Sequence, residues 1–187
     1  AMAGNIGFEP DQYVQIHASG RENDISHSVL TSSKGGTVRV KALAGSIHGG
    51  SLNIDVSGGD AADGNGDGIP DGRRGGDGGT AELSAATGIA LADSLVIRAN
   101  GGNGGGIGSE PRGPYTDGPA PPSARAGEGG HGGSVTVSTT SGSLLAETYT
   151  IDLRAEGGEG GSVQSFLELS EGTLGAGGQG GSITVKA

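Results

Sequence analysis

The chain has no cysteine, no tryptophan, two phenylalanines and three tyrosines in 187 residues. Without cysteine there are no disulfides and no thiolate metal ligands. With aromatics at only 3%, a core built on rings is excluded. Burial has to come from Val, Ile, Leu and Ala repeated in a regular way. A surplus of positive charge is missing too: 11 Lys and Arg stand against 21 Asp and Glu, a net charge of -10. A surface that binds nucleic acid through its phosphates needs the opposite sign, so no nucleic-acid partner is expected. No apolar run approaches the ~20 residues of a spanning helix, so no membrane insertion is expected. No signal peptide is visible.

What the chain has instead is glycine, 43 residues of it, roughly three times the usual share. Such a composition points first to disorder or collagen. Disordered chains lack clean period-2 alternation of Val, Ile and Leu, which is present here. Collagen needs glycine strictly every third residue, which fails over the length of the chain.

Four Gly-Gly pairs each open a short alternating strand: Gly35-Gly36 before Thr37–Val40, Gly78-Gly79 before Thr80–Leu83, Gly132-Gly133 before Ser134–Val137, and Gly180-Gly181 before Ser182–Val185. The pairs lie 43, 54 and 48 residues apart. Each unit continues through a turn at Gly45, Gly88 or Gly142 and a short middle stretch (Ser46-Ile47, Ile89–Leu91, Leu144-Leu145). A last strand closes it: Leu52–Gly58, Leu95–Gly101 and Ile151–Gly157, with an earlier copy at Val14–Gly20. Repeats of this kind bury their apolar faces only by stacking on one another. The expected fold is all-β, a parallel β-helix (β-solenoid) of about four rungs with Gly-rich inserts at one corner. The alternative is a β-sandwich with polyglycine loops. Residues 1–187 read as one solenoid, with units at about 35–77, 78–131 and 132–179 and partial units at both ends, hence a fragment of a longer protein.

The alternation predicts burial of Val38, Val40, Leu52, Ile54, Val56, Leu83, Leu95, Ile97, Val135, Val137, Ile151, Leu153, Ile183 and Val185. Parallel stacking about 4.8 Å apart predicts one outward column of His17, Asp55, Arg98 and Arg154.

The inserts run at about 58–77, 101–131 and 157–179, all leaving the same corner, which in a repeat protein is often the binding face. Their Gly-Gly-X-Gly-Gly edges have two readings: extended polyproline-II-like strands packed backbone to backbone, or flexible loops. The second insert, with Pro111, Pro114, Pro119, Pro121 and Pro122, is expected to be disordered. In the third, Ser162–Leu169 has strand character and could form a hairpin or an extra edge.

One segment carries metal chemistry. Asp63, Asn65, Asp67 and Asp71 fall at positions 1, 3, 5 and 9 of a loop, with Gly68 at the sharp turn and the Ile69 carbonyl free to point inward. Hard oxygen donors in that phase are the ligand logic of Ca²⁺. The nine residues resemble the calcium loops of thrombospondin type 3 repeats and dockerin modules. They depart from an EF-hand at position 12, where Arg74 stands in place of a bidentate glutamate. The expected metal ligands are Asp63, Asn65, Asp67, Ile69 and Asp71.

The remaining chemistry-bearing residues read as surface. His17, His27, His48 and His131 sit at no metal-ligand spacing, and His131 is expected to be a solvated loop residue. There is no Gly-x-Ser-x-Gly elbow and no phosphate loop completed by Lys-Ser/Thr. Outward carboxylates on strands (Asp55, Glu82, Asp152) form no legible pair for sugar hydrolysis. The outward strand positions mix Arg, Lys, Glu and Ser and make no flat threonine array of the kind ice binding would need.

The repeat pattern resembles the β-helical shafts of filamentous-haemagglutinin-like adhesins and autotransporter passengers of bacterial surfaces. The resemblance implies a non-catalytic structural or adhesive segment, secreted or at the cell surface. Its partners would be a host receptor, glycan or matrix component, besides neighbouring repeats of the parent chain. A glycan-binding module on the insert face is the alternative, and a polysaccharide lyase or hydrolase ranks behind both.

Overall fold

The computed structural model describes residues 4–20, 32–63, 72–107, 124–144, 150–162 and 172–187. These residues form strands and no helix: β1 (Ile6–Gly7), β2 (Tyr13–His17), β3 (Thr37–Ala42), β4 (Ser46–Asp55), β5 (Thr80–Ala85), β6 (Gly88–Arg98), β7 (Ala124–Arg125), β8 (Ser134–Thr139), β9 (Thr150–Arg154), β10 (Gly172–Thr173) and β11 (Ser182–Lys186). Every strand pair among them is parallel. One sheet runs β11-β8-β5-β3. A second runs β1-β4-β6-β9, with β2 also on β4, and β7 and β10 form a small pair. No sheet closes on itself.

Strands that neighbour one another in a sheet are equivalent strands of successive units. Val38, Ala81, Val135 and Ile183 share one register column, and Ile16, Ile54, Ile97 and Leu153 share another. This is what the period-2 pattern requires, because a slip of one residue would turn every apolar side chain outward. The inner faces of both sheets meet in a single core. Leu83, Leu95, Ile97, Val135 and Val137 are wholly inaccessible there.

The middle stretch and the last strand of a unit are continuous in β4 and β6, which places Ile47, Ile89 and Leu91 in the core as well. The register is broken once along them. Gly49 faces Leu91 and Ser51 faces Ser94, so β6 carries one extra residue there, a bulge that lets a long strand bend.

Five residues expected to be buried are not fully so. Val40 and Leu153 are partly buried, and Ile151, Ile183 and Val185 are 50%, 47% and 52% exposed. Their side of the strand is right, since they lie on the columns of Leu95, Val135 and Val137. What they lack is a covering neighbour: they sit in β9 and β11, and no described strand lies beyond those two. Val40 is in β3, the opposite edge.

The glycine-rich segments are as ordered in their hydrogen bonding as the sheets. Those leaving the core (56–63, 99–107, 155–162) alternate with those returning to it (72–79, 126–133, 174–181). Their bonding repeats every three residues, the period of a polyproline-II helix, which has no internal hydrogen bonds and must satisfy its N–H groups sideways. Where a later segment of the same direction is described, the first N–H of a Gly-Gly-X triplet donates to it: Gly58 to Asn100, Gly101 to Glu156, Gly75 to Glu128 and Gly129 to Ala176, each at 2.8–2.9 Å. The second donates to a segment of the opposite direction, in one unbroken zigzag: Gly178 to Gly158, Gly158 to Gly130, Gly130 to Gly102, Gly102 to Gly76 and Gly76 to Gly59. Of the two readings of the inserts, the packed one holds for these residues. Glycine is obligatory where segments touch: a Cβ on Gly102 would run into the Gly59 carbonyl, and one on Gly130 into that of Gly76.

The prolines of the second insert and residues 163–169 of the expected extra strand lie outside the described residues.

Candidate functional site

The third residue of each triplet faces out, and its N–H has no backbone acceptor. A side chain from the equivalent position one unit earlier takes that role. Asp60 Oδ1 accepts from Asn103 N–H at 2.7 Å, and Asn103 Oδ1 accepts from Glu159 N–H at 2.9 Å. Asn100 Oδ1 accepts from Glu156 N–H at 3.0 Å. On the returning side, Asp77 Oδ1 accepts from His131 N–H and His131 Nδ1 from Gln179 N–H, both at 2.9 Å. Only a short side chain with an acceptor can reach, which is why Asp, Asn and His stand at these positions. The acidity of the glycine region is therefore partly a structural requirement.

Asp63, the first residue of the predicted calcium loop, belongs to this ladder. It lies exposed at the end of the first outgoing segment, and its Oδ1 accepts from Gly106 N–H at 2.7 Å. One carboxylate oxygen is thus committed to the fold. Asn65, Asp67, Ile69 and Asp71 lie outside the described residues. Among the described residues, no three His, Asp or Glu side chains are grouped closely enough to hold a metal ion.

Asp77 is the most constrained carboxylate of the ladder. Partial burial pulls its pKa upward, but the His131 N–H and the Arg74 guanidinium at 2.7 Å outweigh this and hold it below the ordinary value. His131 is exposed, as expected of a loop residue, yet it is tied by two backbone hydrogen bonds rather than simply solvated.

On the sheets, the outward column His17–Asp55–Arg98–Arg154 forms in that order. Its ion pairs do not simply follow the column. His17 meets Asp55 at 3.9 Å, whereas Arg98 and Arg154 both turn to Asp152, at 4.0 and 2.8 Å. The hydrogen bond from Arg154 to Asp152 raises the pKa of the guanidinium. Glu82 sits between Lys41 at 2.5 Å and Arg39 at 3.3 Å, and the Lys41 hydrogen bond chiefly holds its carboxyl below the ordinary value. Glu82 and Asp152 are each engaged by Lys or Arg on the same strand or the neighbouring one in the sheet, an arrangement of surface ion pairs, and Asp55 lies beside the His17 ring.

Sequence reasoning missed two features of the β1–β2 end. Tyr13 stands 59% exposed on the outer face of β2, and its hydroxyl accepts from Asn53 Nδ2 at 2.7 Å. An open cavity of about 520 Å³ is lined by Phe8, Glu9, His48, Gly49 and Leu91 among others. Phe8 covers Gly49, where a Cβ would strike its ring. The lone aromatic in an alternating strand was the only signal in the sequence for either.

No protein-family model, no curated protein and no solved structure matches this chain.

Proposed function

We propose that this chain is a non-catalytic, extracellular β-solenoid segment of a bacterial surface protein, a rigid shaft that carries or provides adhesive contacts. One observation carries the reading: equivalent residues of successive units stand in register both in the sheets and in the glycine segments. Each unit therefore offers its neighbour the same bonding pattern that it receives. Such a lattice extends along one axis by adding units, as solenoids do. Its outward acids are engaged with backbone N–H groups or with neighbouring cations, which suits display and rigidity better than acid–base work. Partners would be a host receptor, glycan or matrix component. The test is binding of beads bearing many copies of the chain to glycan and matrix-protein arrays. Retention by one class supports adhesion. Release of reducing ends or unsaturated uronates from acidic polysaccharides would overturn the non-catalytic reading.

Calcium belongs to the same proposal, through Asp63, Asn65, Asp67, the Ile69 carbonyl and Asp71. An ion there would relieve repulsion among the carboxylates and fix the tip of the first insert, so binding would stabilise the fold by linkage. Calcium added to chelator-treated protein is expected to raise Tm, and Asp67→Ala to abolish the rise. An equal rise in the variant removes the site.

The glycan-binding alternative gains one observation. The exposed ring of Tyr13, held by Asn53, is a platform on which a sugar face could stack. In that reading the glycan would lie on the outer face of β2 rather than on the inserts. Loss of array binding in Tyr13→Ala would select this reading.

A further inference from the structure

Among the described side-chain acceptors of the glycine ladder, His131 is the one that accepts through an imidazole nitrogen, an atom that can itself take up a proton. Asp60, Asn100, Asn103 and Asp77 accept through oxygen. His131 accepts from Gln179 N–H through Nδ1 at 2.9 Å, which requires the neutral ring with its proton on Nε2. Protonation turns Nδ1 into a donor that faces another donor.

The charged groups around the ring give the imidazolium somewhere to go. Asp77 lies one unit earlier in the same column and already accepts from His131 N–H. Arg74, hydrogen-bonded to the same Asp77 oxygen at 2.7 Å, partly neutralises it. Glu128 is the preceding outward residue of the same segment, and Gln179, one unit later, carries no charge. The electrostatic pull is therefore toward Asp77 and away from Gln179.

We propose that His131 is a pH-operated latch: the neutral imidazole adds a side-chain tie from residues 126–133 to the Gln179 N–H, beside the backbone bonds from Gly129 to Ala176 and from Gly132 to the Gln179 carbonyl, and the imidazolium releases that N–H and turns toward Asp77. Residues 174–181 keep their bonds from Gly175, Gly178 and Gly181 to the outgoing segment 155–162 and still accept from Gly129 and Gly132, so only the Gln179 N–H is freed. The change is accordingly a local loosening of the last returning segment and not its unfolding. Resting on the surface-protein reading above, the latch would loosen residues 174–181 under mild acid.

The experiment is backbone amide exchange by NMR on the whole chain, at about pH 8 and about pH 5, a range in which histidine changes charge. Rates are corrected for intrinsic chemistry, and Gln179 is read against Glu159, whose acceptor is the non-titrating Asn103. Protection at Gln179 is expected to fall about tenfold relative to Glu159 in acid, the loss of one hydrogen bond. His131→Asn, which keeps a short acceptor, is expected to hold that ratio constant. A wild-type ratio that does not move with pH, or the same fall in His131→Asn, overturns the latch. Should the variant fold poorly, the wild-type ratio and the ¹⁵N shifts of the ring decide. A neutral ring protonated on Nδ1 would also overturn it.

Discussion

The two halves of each unit solve the same stacking problem with opposite means. In the strands, side chains alternate with period 2, and burial of Val, Ile and Leu fixes which strand lies over which. In the glycine segments there is almost nothing to bury. Position is fixed by the N–H groups of each triplet, two bonded to backbone and the third capped by a side chain of the unit before. Where hydrophobic area is available, specificity comes from side chains. Where it is absent, the chain must remove side chains altogether and let backbones meet. The cost is the conformational entropy of glycine, offset by hydrogen bonds made at full occupancy in a packed layer.

The strand half is most severely tested at Ile97, inaccessible near the end of β6, with Arg98 beside it facing out. Ile97→Asp is expected to destabilise by about 4 kcal/mol or more, since a carboxylate would be buried without a partner. Arg98→Asp should cost about 1 kcal/mol or less, the scale of exposed pairs. Urea midpoints for the two variants check this, and equal shifts would contradict the register.

The glycine half is tested by a methyl group. Gly102→Ala puts a Cβ into the Gly59 carbonyl, in a layer where neither neighbour can move without breaking the zigzag. A loss of about 3 kcal/mol or more is expected. Gly177→Ala is the control: it stands in the last returning segment, and the nearest atom to its Cβ would be the Gly158 carbonyl oxygen at 3.7 Å. Its effect should stay within about 0.5 kcal/mol. If both alanines are tolerated alike in thermal melts, the segments do not pack as ordered here.

The strand half was largely legible in the sequence, and the glycine half was not. Alternation at Val38, Leu83 and Ile97 predicts sidedness, and repetition predicts neighbours, so even the column His17–Asp55–Arg98–Arg154 follows from spacing alone. The end positions Ile151, Ile183 and Val185 were misjudged because periodicity reports the face of a strand, not whether another strand covers it. The glycine runs admitted two readings because glycine has no side chain to reveal a face. Nothing in the sequence marks Asp60, Asn103 and Asp77 as backbone acceptors, since their N–H partners lie 43 to 56 positions away. Of the candidate calcium ligands, only Asp63 could be placed, and its hydrogen bond to Gly106 was invisible without the ladder.

A smaller effect separates the side-chain caps from the backbone bonds. Asn103→Ala removes the acceptor for Glu159 N–H but leaves the Gly101 and Gly102 bonds intact. Because Glu159 is exposed, water can replace the lost partner, so about 1 kcal/mol is expected. Asn103→Asp keeps the acceptor and should restore most of it. A loss as large as that of Gly102→Ala would mean that the caps, not the backbone contacts, hold the layer.

The smallest effect is one of acid. Asp77 joins both kinds of contact, accepting a backbone N–H from His131 and a guanidinium hydrogen bond from Arg74, and its pKa is held below the ordinary value of 3.8. A carboxyl depressed in the folded state binds its proton more readily when unfolded. Its contribution is therefore fully present above about 3.8 and fades as the pH falls through the lower, folded value. Asp77→Asn keeps an oxygen for His131 N–H but removes the charge facing Arg74. The variant should melt slightly below the wild type at pH values above 3.8, and the two should converge in stronger acid. The side chain is 34% exposed, so solvent screens the pair and the gap should be modest. A gap that persists unchanged in strong acid would assign the role of Asp77 to the shape of the hydrogen bond alone. The glycine half would then be held without help from charge.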